Sequence, residues 1–274
     1  MRARNSWTFL MLVGVVALVA AACSSDTATQ VTVTVDGDSI SVPSEIDAGV
    51  VEVTITGEMN VGDEVDFTKV TAGTTEEQFI EGMLGVVEGG PFPDFFEGNA
   101  GVSLGKNLSP MSVTLEPGAY FVWTEGGEDL VTGEVTVTGE AGGELPDTDG
   151  TITVQDYSFD VDVSAGDTYT FKNEAANESH HAFLISFGDL DLALVEENLP
   201  AFVQANFEDT PLPDALAEFD FIDGSGVFSP GFSGTFSTTL ESGNTYAVFC
   251  LIQDRAGSAP HVLAYDMFDV FQVP

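Results

Sequence analysis

Thr239-Leu240-Glu241-Ser242-Gly243-Asn244-Thr245-Tyr246-Ala247-Val248-Phe249-Cys250 has an earlier counterpart in the same chain, Thr114-Leu115-Glu116-Pro117-Gly118-Ala119-Tyr120-Phe121-Val122-Trp123. In both, a Gly-containing turn separates a β-branched run from an aromatic one, the form of a hairpin between buried strands. Working outward, Ala48-Gly49 matches Ala165-Gly166, and Gly101-Val102 matches Gly226-Val227. The distance between matched positions widens from 117 to 125 residues, so the second copy has a longer middle. Val31-Thr32-Val33-Thr34-Val35 alternates with period two, and Asp36-Gly37 turns it into Ser39-Ile40-Ser41-Val42. Residues 51–56, 133–138, 151–154 and 168–171 have the same β character, whereas the polar stretch 139–150 reads as a linker. Helical spacing occurs only in 74–87, with Thr74 as N-cap and Glu76 and Glu77 in the first turn, and in 190–207 and 213–219. The expected fold is all-β: two tandem Greek-key β-sandwiches, 31–138 and 151–274, each with a short helical insertion.

The 274 residues are 43% hydrophobic and include 21 Phe, which excludes a disordered chain. Against 45 Asp and Glu stand 6 Lys and Arg, a formal net charge of -39. Such a field repels phosphate, so no nucleic-acid partner is expected, and anionic membrane surfaces repel it as well. The acids are spread over both halves, which suits adaptation to salt better than a docking patch. Melting temperature is therefore expected to rise from dilute to molar NaCl, as the Debye length falls from ~10 Å at 0.1 M to ~3 Å at 1 M. Melting curves that ignore salt would remove this reading of the composition.

The N-terminus reads as an address. Arg2 and Arg4 precede an apolar run over 9–22, which at 14 residues is short for a membrane span. The run ends Ala20-Ala21-Ala22-Cys23-Ser24-Ser25-Asp26, which resembles a bacterial lipoprotein signal. That resemblance implies a signal over 1–23, Cys23 as the lipidation site, a tether over 24–30, and an extracytoplasmic protein touching the membrane only through its lipid. An ordinary secretory signal and an uncleaved anchor are the rivals.

With Cys23 lipidated, Cys250 has no disulfide partner. His180, His181 and His261 are the only histidines, and Met267 is the only methionine of the second half. In His180-His181-Ala182-Phe183-Leu184-Ile185-Ser186-Phe187 the two histidines face opposite sides of a strand. His181 shares its face with Phe183, Ile185 and Phe187, the more apolar set, so His181 is expected inward and His180 solvated. The chain thus presents His…Cys…His…Met. Two imidazoles and a thiolate with a weak axial thioether make a blue-copper electron-transfer site. Zinc is the chemical rival, and a copper-free sandwich with a structural Cys is the plain alternative.

Residues 177–187, Gly231-Phe232-Ser233-Gly234-Thr235-Phe236, 240–250 and Pro260-His261 to Met267 resemble the cupredoxin family of plastocyanin-like and azurin-like proteins. The resemblance implies one type 1 copper held by His181, Cys250, His261 and Met267, with His261 near the rim as the electron exit and a redox protein as partner. Ten residues separate Cys250 from His261 and five separate His261 from Met267, more than in familiar copper carriers. In the first repeat Thr124 aligns with Cys250, Asp63 or Glu64 falls at the His181 region, and no histidine follows. Oxidase chemistry needs more histidines than three, and no nucleophile elbow accompanies Cys250 and His261, so no enzyme is expected.

Overall fold

The computed structural model describes residues 28–274 except 38, 58, 60–62, 104–109 and 127–128. The expected signal, the Cys23 lipidation site and most of the tether lie outside the described residues. The first repeat runs β1 (Thr29–Asp36), β2 (Ser39–Ser41), β3 (Glu45–Asp47), β4 (Gly49–Gly57), β5 (Glu64–Val70), α1 (Glu76–Val87), β6 (Phe96–Ser103), β7 (Met111–Leu115), β8 (Gly118–Gly126) and β9 (Asp129–Thr138). The second runs β10 (Gly150–Gln155), β11 (Ser158–Val163), β12 (Gly166–Asn173), β13 (Phe183–Ser186), α2 (Leu192–Glu208), β14 (Asp220–Ile222), β15 (Ser233–Leu240), β16 (Thr245–Phe249), α3 (His261–Ala264) and β17 (Phe268–Gln272).

The repeat seen in the sequence is a repeat of topology. One sheet has the order β11-β10-β12-β15-β7-β4-β1-β2, which reads symmetrically from its centre. Its halves each contain one parallel pair, β1 with β4 and β10 with β12. Sheets β3-β9-β8-β5-β6 and β14-β13-β16-β17 complete the two sandwiches. The matched tyrosines each tie back to the glutamate before the turn, in opposite senses: Tyr120 donates to the Glu116 carbonyl (2.9 Å), and Tyr246 accepts from the Glu241 amide (2.8 Å).

The two sandwiches are not beads on a linker. Edge strands β7 and β15 meet at Val113 and Gly234, and Thr114 Oγ1 accepts from the Ser233 amide and donates to its carbonyl. One apolar core therefore runs through both repeats, from Val33 and Phe67 to Val248, Cys250 and Met267. Stretch 139–150 runs back along β4, where Gly142 accepts from the Val50 amide (3.0 Å).

Helices α1 and α2 each cover the outer face of a sheet. In α1, Phe79 and Met83 pack on Phe121 and Trp123. Its N-cap is Thr75, one residue past the expected Thr74, because Thr75 closes a capping box with Gln78 while Thr74 donates to the Thr71 carbonyl. In α2, Val195, Leu199 and Phe202 pack on Ile185, Phe187 and Phe249. The expected helix at 213–219 is shorter: only Asp214–Leu216 forms a 3-10 turn, and the chain then joins β13 as β14. Among the described residues no helix is long and apolar enough to cross a membrane.

Candidate metal centre

Cys250 follows β16 directly, and three other segments converge on it. His180 lies before β13, fixed by a two-way backbone bridge to Phe228 (2.9 and 2.8 Å). His261 opens α3 behind Pro260, its amide bonded to the Ile252 carbonyl (2.8 Å). Met267 precedes β17, and its carbonyl accepts from the Cys250 amide (3.2 Å). His180, Cys250, His261 and Met267 are all 0% exposed.

Cys250 Sγ lies 3.5 Å from His180 Nδ1 and 3.4 Å from His261 Nδ1, and the two nitrogens are 3.1 Å apart. A point equidistant from these atoms is roughly 1.9 Å from each, close to the ~2.0–2.3 Å at which imidazole and thiolate bind a first-row metal. Burial, helped by the charges of His261 and His181, pushes His180 down to about 3; burial also lowers His261, against the pull of Asp254. Both rings are thus neutral near pH 7, the form that donates a lone pair. Burial pushes the Cys250 thiol up to about 12, so a cation in this triangle must displace the thiol proton. The donor set fits a soft, trigonal metal.

His181, the expected inward residue, does not join this group. It is half-buried, and its Nε2 accepts from the Leu251 amide (2.8 Å). The two histidines do face opposite sides, but the inward one is His180. The apolar face of Phe183, Ile185 and Phe187 lies under α2, while Ala182, Leu184 and Cys250 share the core between the sheets. A covered outer face can be more apolar than an inner one, as it is here under α2.

The long Cys250–His261 segment is ordered by the first sandwich. Arg255 donates through Nη2 to the Phe96 carbonyl (2.8 Å) with its guanidinium over the Phe96 ring (5.2 Å), and its own carbonyl accepts from the Phe92 amide. Gln253 Nε2 reaches the Gly90 carbonyl (2.8 Å). His261 is not a rim residue either. Its Nε2 faces Asp254 Oδ1 (3.1 Å), and Asp254 also accepts from Tyr157 (3.1 Å) and Tyr265 (2.6 Å). Sequence reasoning missed all three. Only the position of Asp254 between Cys250 and His261 hinted at one of them.

In the first repeat, Asp66 pairs with Trp123 as Phe183 pairs with Phe249, which puts Thr124 at the Cys250 position and Asp63 at that of His180. Among the described residues, both clusters of three metal-ligating side chains include His261 of the second repeat.

No protein-family model matches the chain, and no curated protein is similar to it. Among solved structures, reduced auracyanin from the photosynthetic bacterium Roseiflexus castenholzii aligns at 22% identity with 45% of this chain and 94% of that one, with a TM-score of 0.27. Copper nitrite reductase from Nitrosomonas europaea aligns at 11% identity with 90% of this chain and 94% of its own, with a TM-score of 0.20. Values this low carry no functional weight.

Proposed function

We propose that this chain is a cupredoxin-like electron carrier in which His180, Cys250 and His261, with the buried Met267 as a further sulfur ligand, would hold one type 1 copper. The observation that supports it is the buried triangle of two Nδ1 atoms and one Sγ, with sides of 3.1–3.5 Å. Copper bound there would supply a one-electron couple. The protein's part is to keep the geometry fixed while charge changes: backbone bonds to Phe228, Ile252 and Met267 hold the segments that carry the side chains. Complete burial of all four residues excludes water. The same reading makes the chain a carrier and not an enzyme, displayed outside the cytoplasmic membrane on a lipid at Cys23, exchanging electrons with a redox protein.

The test is a titration of the purified chain with Cu(II), followed by visible absorption. An intense thiolate-to-copper charge-transfer band that saturates at one equivalent is expected. No band and no tight binding, with Cys250 open to thiol reagents only on unfolding, would leave a copper-free sandwich.

A further inference from the structure

The outer side of His261 is built, not open. Its Nε2 lies 3.1 Å from Asp254 Oδ1; the same oxygen accepts from Tyr157 (3.1 Å), and Oδ2 accepts from Tyr265 (2.6 Å). The two tyrosine rings stack at 3.8 Å, and Tyr157 sets its edge toward His261 at 5.2 Å. Tyr265 leaves α3 at its C-cap and Tyr157 sits in the turn between β10 and β11, so two separate elements grip one carboxylate. Asp254 itself is tied into the loop, its carbonyl accepting from Gly257 (2.8 Å).

We infer that Asp254 is the positioning residue of this centre, fixing His261 as the Nε2–H tautomer so that the Nδ1 lone pair points at Cys250 and His180. A neutral imidazole carries one proton, and a carboxylate facing Nε2 draws that proton to Nε2. The tyrosine hydroxyls then keep the carboxylate from swinging away, and their rings cover the edge that would otherwise meet water. With copper bound, an acceptor on Nε2 makes Nδ1 a stronger donor, which favours Cu(II) over Cu(I). The part concerning copper rests on the proposed function; the tautomer does not.

The first test therefore uses the metal-free chain, with ¹⁵N NMR of the imidazoles. Wild type should show His261 protonated at Nε2 alone, and Asp254→Ala should mix the tautomers. A wild-type ring protonated at Nδ1, or no change in Asp254→Ala, would overturn the inference whether or not copper binds. The second test uses the copper-loaded chain. Asp254→Asn should weaken Cu(II) binding about ten- to a hundredfold while leaving Cu(I) binding close to wild type. The reduction potential should then rise by about 59 mV for each tenfold. Equal loosening of both oxidation states would indicate a merely structural role and overturn the inference. Tyr265→Phe, which keeps the stacked ring and removes one donor, should move both readouts the same way by less. Should Asp254→Asn fold poorly, Tyr265→Phe decides: an unchanged potential and an unchanged tautomer in it would overturn the inference.

Discussion

Replacing His180 with alanine is expected to abolish the thiolate-to-copper band, whereas His181→Ala keeps it. His180 Nδ1 lies 3.5 Å from Cys250 Sγ and 3.1 Å from His261 Nδ1, so its removal leaves two of the three close donors. The loss of Cu(II) affinity should exceed the ten- to hundredfold that follows loss of an outer partner. His181 acts only through Nε2, as acceptor for the Leu251 amide directly after the cysteine. Its deletion leaves that amide unpaired, at a cost of about 1–3 kcal/mol, and the melting temperature should fall by several degrees with the colour retained. Parallel titrations and melts of the two variants decide. Retention of the band in His180→Ala, or its loss in His181→Ala, would mean the strand faces are reversed.

That pair of residues also shows what a sequence can reveal here. Period-two alternation put His180 and His181 on opposite faces, and they are. Alternation cannot say which face looks at the other sheet, because both faces of β13 are apolar: one joins Phe228, Phe236 and Met267 in the central core, the other meets Leu199 and Phe202 of α2. The helical spacing over 190–207 marks the element that covers the outer face, and its packing surface accounts for the apolar set on that side. The tandem repeat was legible because Gly and aromatic positions recur in order, and the shared topology follows from them. The joining of β7 to β15 was not legible, since an edge strand is specified by what it meets and not by a pattern of its own. Cys250, His261 and Met267 stood out by rarity. Asp254, one of 45 acids in the chain, could not.

The last of these lessons bears on a pair of carboxyls where the sandwiches meet, the half-buried Glu64 and the buried Asp66. Glu64 Oε1 accepts from the Val227 amide (2.7 Å), Asn99 Nδ2 donates to the Val227 carbonyl (3.0 Å) and also to Asp66, and Val227 precedes the Phe228 that brackets His180. Burial raises the Glu64 carboxyl to about 7, against the pull of the Val227 amide and Asp66; burial and then the charge of Glu64 raise Asp66. The folded protein therefore holds a proton that the unfolded chain, with its carboxyl near 4.5, releases. This contribution is complete below about 4.5 and is lost as pH rises through about 7. The histidines work in the opposite sense: their folded values are lowered from 6.5, so they weaken the fold as pH drops through 6.5, an effect that fades only about one unit above it. Between pH 6.5 and 8 wild-type stability combines these opposing effects, and a variant that alters Glu64 alone separates them. Glu64→Gln keeps an oxygen for the Val227 amide and removes the ionisation. At pH 8 the variant should be more stable than wild type by on the order of 2 kcal/mol, after allowance for the partial exposure of Glu64, and the difference should shrink toward zero by pH 5. Urea melts of both proteins at pH 5, 6.5 and 8 measure it. Parallel slopes between pH 6.5 and 8 would show that Glu64 is ionised in the fold throughout, and that the domain junction tolerates its charge.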